Sequence, residues 1–191
     1  MSAVPRQPGH GYAGLRMTAE EFLALGETNE HYELIDGVVR MSPKAGSPHH
    51  DVQLLIFEQA RALAKQTGGR CFCDFELVLN ERLVYAPDIM CFGPGRVQGA
   101  VKRVEIPPEL VIEVLSPATA HFDLTRKRGD YERFGVGEYW TVDPGTTRVR
   151  CFRRVGLRLE EQAVVGDRVS SAAWSGFVLD LRPLREVDRL E

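Results

Sequence analysis

Leu110-Val111-Ile112-Glu113-Val114-Leu115 is an apolar run with a carboxylate in its middle. As a strand it alternates, with Val111, Glu113 and Leu115 on one face and Leu110, Ile112 and Val114 on the other. Both faces are apolar, which places the strand at the centre of a sheet. An ionised group left there without a partner costs on the order of several kcal/mol or is neutralised. A chain that keeps such an acid normally uses it to hold a cation or move a proton.

A second acid sits in similar company in Pro87-Asp88-Ile89-Met90-Cys91-Phe92. Asp88, Met90 and Phe92 share a face, and Pro87 suits a strand's first residue because it cannot donate to the ladder. Taken singly, each carboxylate is more simply the partner of an arginine or of a helix N-terminus. Taken together, on adjacent strands and facing one side, they suit a hard divalent cation such as Mg²⁺, which takes oxygen ligands and keeps several waters.

Downstream, His121 to Phe134 reads as a helix stopped by Gly135. Leu124, Lys127, Tyr131 and Phe134 fall on its packing stripe. A lysine there either pairs with Asp123 one turn earlier, snorkels to water, or serves the two acids.

Upstream, Thr18-Ala19-Glu20-Glu21 is a capping box that opens a short helix through Leu25, ended by Gly26. Tyr32-Glu33-Leu34-Ile35 and Val38-Val39-Arg40-Met41 flank Asp36-Gly37, the dipeptide of a tight hairpin, so Glu33 and Ile35 share a face. Pro48 to Gln66 is the longest helix, with Val52, Leu55, Ile56, Gln59 and Leu63 as its stripe and Gly68-Gly69 as its stop. Strands follow at 71–75 and 77–79, and the segment from Gly93 to Glu109, rich in Gly, Pro and charge, is a candidate lid between the two acids. Glu138 to Asp143 reads as a strand turning at Pro144-Gly145 into Arg148 to Arg153, and Phe177 to Leu181 alternates near the end. The pattern is α/β: a mixed central sheet flanked by helices, with an extra N-terminal hairpin and C-terminal strands. Residues 1–16 read as a flexible tail and 17–191 as a single domain.

With 191 residues, 43% hydrophobic and 27% charged, the composition is that of a globular protein. No apolar run reaches the roughly 18 to 20 residues that span a bilayer, and the N-terminus lacks a secretory pattern. Those features, and four cysteines without a second metal-spaced pair, suit a reducing cytoplasm. A net charge of −3 excludes coating of nucleic acid through bulk electrostatics, so a polyanion would need a local patch. Arg148, Arg150 and Arg154 share one side of a strand with Phe152, beside Arg126 and Arg128. They read first as solvated charges, and as phosphate contacts only if they adjoin the acids. His49 and His50 open the long helix, where histidine is more often a surface or capping residue than a catalytic one. Tyr139 and Trp140 read as core.

The set Pro87-Asp88, Val111-Ile112-Glu113-Val114-Leu115-Ser116-Pro117, Asp123, Lys127, Tyr131, Gly135-Val136 and Glu138-Tyr139-Trp140, with Tyr32-Glu33-Leu34-Ile35-Asp36-Gly37 and Met41-Ser42-Pro43, resembles the Uma family of restriction endonuclease-like proteins, in the PD-(D/E)XK nuclease superfamily. The superfamily's lysine two residues after the second acid is Leu115 here. In this family the lysine has moved to the following helix, where Lys127 matches it. The resemblance implies a restriction endonuclease-like fold and Mg²⁺ or Mn²⁺ held by Asp88 and Glu113. It implies Lys127 as the cation near the attacking water and Glu33 as an added acid, so the catalytic set is Glu33, Asp88, Glu113 and Lys127.

The expected activity is divalent-metal-dependent hydrolysis of DNA phosphodiester bonds. The alternative is a nucleic-acid-binding or regulatory module that keeps the fold without turnover, which Leu115 and the acidic balance both allow. A Gly-x-Ser-x-Gly elbow and a phosphate-cradling glycine loop are absent, which leaves little support for a metal-independent hydrolase or a nucleotide-driven activity. DNA is the expected partner and a membrane is not. Nucleases of this fold often pair to make two cuts, and the alternating C-terminal strands offer a surface for a homodimer.

Overall fold

The computed structural model describes residues 11–26, 30–42 and 46–189. Its centre is a six-stranded sheet in the order β10-β9-β8-β7-β6-β3, made of β3 (Arg70–Cys73), β6 (Ile89–Phe92), β7 (Leu110–Val114), β8 (Glu138–Val142), β9 (Val149–Val155) and β10 (Arg158–Gln162). Only β7 and β8 pair in parallel, so the sheet is mixed. Every residue of β7 is buried, as expected of a strand apolar on both faces.

A four-stranded sheet, β2-β1-β5-β4, stands beside it. It contains β1 (Tyr32–Ile35), β2 (Val38–Met41), β4 (Leu77–Asn80) and β5 (Leu83–Tyr85). Asp36 and Gly37 join β1 to β2 with φ of 54° and 75°, the paired positive values of a tight hairpin turn. Strand β5 was not anticipated: Leu83 to Tyr85 is three residues long and merges in sequence with the Asp88 run. Helix α1 (Ala19–Leu23) has its capping box, Thr18 with Glu21.

Helix α2 (Ser47–Thr67) packs on one face of the large sheet and ends at Gly68 in the left-handed region. Its buried residues are Val52, Gln53, Ile56, Ala60 and Ala64, while Leu55 and Leu63 of the expected stripe pack beside them, partly buried. On the other face, α4 (Arg128–Phe134) packs its Tyr131 into the cluster that holds Tyr139 and Phe152. Between α3 (Ala120–Phe122) and α4 the chain makes a π-helical turn, Asp123–Lys127, where a continuous α-helix was expected. One extra residue in a turn rotates upstream positions by about 100°. Asp123 therefore points inward with Lys127, while Leu124 is only half-buried. The buried Tyr139 hydroxyl donates to the Asp123 carbonyl oxygen at 3.0 Å.

Three other expectations change. The 93–109 segment is no lid over the acids: it joins the end of β6 to the start of β7, and antiparallel pairing puts those ends away from Asp88 and Glu113. Its Val104 pairs with Leu77 instead. The C-terminal alternation is used within the chain, because Phe177, Leu179 and Leu181, around β12 (Val178–Asp180), are buried in the core beneath α2. That face is not free for a second copy. Finally, of the segment read as a tail, residues 14–16 join the hairpin: Gly14 N–H donates to Val39 O, Val39 N–H donates to Leu15 O, and Arg16 bridges to Val38. Residues 1–10 lie outside the described residues.

Candidate active site

Asp88 immediately precedes β6, one step beyond the Ile89–Ile112 pair, and so stands opposite Glu113 on β7. The backbone locks the two together. Val114 N–H donates to Asp88 Oδ2 at 2.6 Å, and Asp88 N–H donates to Glu113 Oε2 at 3.4 Å. The other Glu113 oxygen accepts from Lys127 Nζ at 3.0 Å and from the Tyr131 hydroxyl at 2.9 Å.

Lys127 gathers the acids. Its ammonium lies 3.2 Å from Glu33 Oε1 and 3.6 Å from Asp123 Oδ1 in addition to Glu113. Glu33 comes from β1, in the smaller sheet, and is fixed by Ala86 N–H at 3.3 Å and the Ser42 hydroxyl at 3.4 Å. All four expected residues, Glu33, Asp88, Glu113 and Lys127, thus line one open pocket of about 370 Å³.

The charges there do not balance. Five carboxylates, from Glu33, Asp74, Asp88, Glu113 and Asp123, line the pocket with one lysine. Burial pushes the Glu113 carboxyl well above the usual range, with Asp88, Asp123 and Glu33 adding to it and Lys127 opposing. Burial and the same neighbouring charges push Asp123 up as well. For Lys127, burial alone would lower the pKa, but Glu113, Glu33 and Asp123 outweigh it and hold the ammonium charged. The Asp123 Oδ1 atom is buried and accepts no hydrogen bond.

Helix α2 contributes more than its sequence promised. His49 Nε2 lies 3.3 Å from Asp88 Oδ2, and the Asp88 hydrogen bond raises the imidazole pKa against the lowering effect of burial. One turn on, the Gln53 amide donates to both Asp74 oxygens at 3.1 Å and to the Asp88 carbonyl at 3.2 Å. Asp74 holds a positive φ of 47° and receives no role from sequence alone. The signal for Gln53 was a polar residue one helical turn after a histidine, directly beside Val52 in the packing stripe.

The arginine stripe divides. Arg154 donates to the carbonyls of Val136 and Glu132 at the end of α4, a structural role. Arg126 bridges Asp36 and Asp130. Tyr139 and Trp140 are buried core, as expected. All four cysteines are free thiols. Among the described residues no helix is long and apolar enough to cross a membrane.

A family model described as "Uma2: Putative restriction endonuclease" matches residues 19–182. The chain belongs to the Uma2 family. Within it lies the resemblance drawn from Asp88, Glu113 and Lys127. The chain is also 30% identical over 151 residues to an uncharacterized protein of Synechocystis sp., covering 74% of this chain and 83% of that one. Among solved structures, a "putative nuclease belonging to DUF820" from Anabaena variabilis superposes with a TM-score of 0.74 at 24% identity, over 90% of this chain and 98% of that one. That likeness bears out the mixed α/β fold for this Uma2 member.

Proposed function

We propose that the protein is a divalent-metal-dependent endonuclease that hydrolyses DNA phosphodiester bonds in the pocket between Asp88 and Lys127. The observation that carries this reading is the surplus of buried carboxylate around one lysine. Such a surplus calls for an added proton or an added cation.

The donor set fits a hard ion. Asp88 and Glu113 are the residues that would hold Mg²⁺ or Mn²⁺. Among the described residues no three His, Cys, Asp or Glu side chains form a closed metal cage. Water and substrate oxygens would therefore complete the shell, as Mg²⁺ prefers. When bound, the ion supplies polarisation of a phosphoryl oxygen and a lowered pKa for a coordinated water. Lys127 holds a fixed positive charge toward the charge that develops at phosphorus, and Glu113 and Glu33 keep that ammonium in place. His49 and Gln53 orient Asp88 from behind.

A second reading is a module that binds without turnover. It is favoured by Glu113, whose two oxygens already accept from Lys127, Tyr131 and the Asp88 backbone. The test is nicking of supercoiled plasmid with Mg²⁺ or Mn²⁺, beside EDTA and the variants Asp88→Asn and Glu113→Gln. Metal-dependent nicking lost in both variants supports the enzyme. Full activity in either variant removes that residue from the mechanism, and Mn²⁺ binding by calorimetry with no cleavage of plasmid or RNA favours the binding module.

A further inference from the structure

We propose that Arg128, Arg148 and Arg150 form a contact surface for the phosphate backbone of a nucleic acid whose reacting phosphodiester lies in the Asp88–Glu113 pocket. This rests on the nuclease reading and extends it to where the strand runs.

The position follows from strand register. Glu113 pairs with Thr141, and Thr141 pairs with Arg150, so the three form one row across β7, β8 and β9. Residues paired across a sheet project to the same face, and two strand spacings put the ends of the row about 10 Å apart. A duplex rises about 3.4 Å per nucleotide along each strand, so Arg150 stands about three nucleotides from the reacting position. Arg128 directly follows Lys127 at the start of α4.

Helix and sheet bring these guanidiniums together. Arg128 lies 4.8 Å and Arg150 5.1 Å from the centre of the same ring, Phe152. Arg148 is exposed at the edge where β9 begins and, with Arg150 and Arg185, lines an open cavity of about 480 Å³. Glu161 is the one acid among the described residues lining that cavity. It accepts from Arg150 at 2.7 and 2.8 Å. Its carboxyl is held below the usual range by that hydrogen bond first, with the charges of Arg128 and Arg148 adding. Arg150 alone pairs with that carboxylate, and the charges of Arg128 and Arg148 act on it from farther off, whereas Arg185 is matched by Asp167 at 2.6 Å.

Among the described residues neither Arg128 nor Arg148 has a carboxylate within ion-pair distance. An exposed pair such as Arg150–Glu161 contributes little net stability, so a phosphate can replace the carboxylate at little cost. The guanidinium fork matches phosphate oxygens in geometry as well as charge.

The test is fluorescence anisotropy with a labelled DNA duplex, and with RNA of the same sequence, across a KCl series. An Asp88→Asn background keeps the probes intact. Arg128→Ala with Arg148→Ala should weaken binding roughly tenfold at low salt and reduce the log–log salt slope by about 1.8, near 0.9 per lost contact. Glu161→Gln should act in the opposite direction, with tighter binding and a steeper slope. Arg61→Ala with Lys65→Ala makes the same change in net charge on the outer side of α2 and should leave the slope where it was. If this control shifts binding as much as the Arg128 and Arg148 pair, or if Glu161→Gln does not tighten it, the surface is wrong while the nuclease reading stands. If the Asp88→Asn parent binds neither probe, the nucleic-acid reading fails and the surface falls with it.

Discussion

Lys127 Nζ and Glu113 Oε1 stand 3.0 Å apart, and both side chains are less than one-tenth exposed. Removing one member of a buried pair typically costs about 3–5 kcal/mol, because the other is left without its counter-charge. Lys127→Met should therefore lower the urea midpoint strongly, and more at pH 8 than at pH 5.5, where the stranded acids can take protons instead. Adding Glu113→Gln should recover part of the loss; a double variant as unstable as the sum of the singles would mean that the two do not interact.

Stability without metal should fall as pH rises. Glu113 and Asp123 have folded pKa values raised above their ordinary 4.5 and 3.8, and His49 is raised above 6.5. Each binds more protons folded than unfolded, so its contribution is fully present below the ordinary pKa and is lost as pH climbs through the raised one. The window opens above about pH 4 for the acids and above 6.5 for His49. Thermal melts from pH 5 to pH 8.5 in EDTA should show a declining midpoint, and Mn²⁺ should raise that midpoint most at the alkaline end. A midpoint that climbs with pH would contradict the charge surplus.

Asp123 separates two roles. If it served only to neutralise Lys127, Asp123→Asn would destabilise the protein. Glu113 and Glu33 are already closer to the ammonium, at 3.0 and 3.2 Å against 3.6 Å, so the third carboxylate is surplus for that purpose. Asp123→Asn should raise the melting midpoint at pH 8 without metal and slow plasmid nicking. A lowered midpoint would return Asp123 to a purely structural role.

Gln59 joins α2 to β12 as a strand would, accepting from Asp180 N–H at 2.8 Å and donating to the Asp180 carbonyl at 3.1 Å. Gln59→Ala leaves both backbone groups unpaired in a half-buried place, which costs about 1–3 kcal/mol. Equilibrium unfolding followed by the fluorescence of Trp140 and Trp174 should report that loss, and no change would mean that water replaces the amide freely.

Gly137 is fixed by space rather than by conformation. A Cβ there would meet the Glu109 carbonyl oxygen at 2.6 Å and Ala173 Cβ at 2.9 Å, where β8 leaves the end of α4. Gly137→Ala should destabilise the fold by about 1–3 kcal/mol or more. A variant with wild-type stability would show that the β7–β8 pairing can slide apart at no expense.

The hairpin, the central strand and the two opposed acids were legible because each depends on short-range pattern: Asp36-Gly37 demands positive φ, and alternation places Glu113 on one face. Lys127 was legible by stripe, and Glu33 only through the family resemblance. Pairing of Asp123 with Lys127 was one of the readings open in the sequence, but the π-helical turn that carries it was hidden, because a shift of register by a single residue leaves no trace in periodicity. His49 and Gln53 were underrated because what they touch, Asp88 and Asp74, is distant in the chain. The 93–109 segment was misplaced for a similar reason: nearness in sequence to both acids does not tell which end of the strands a loop occupies. The alternation around Leu179 looked like a surface because nothing local reveals that α2 already covers it.

Arg126 bonds at once to Asp36, in the turn of the β1–β2 hairpin, and to Asp130 on α4. The hairpin is made early in synthesis and the helix nearly a hundred residues later, yet the pocket exists only where the two meet. A growing chain thus carries Glu33 long before it has Lys127 to receive it. The pocket is complete only once the gap between the beginning of the chain and its middle is closed, by the Arg126 guanidinium and by the Lys127–Glu33 pair beside it.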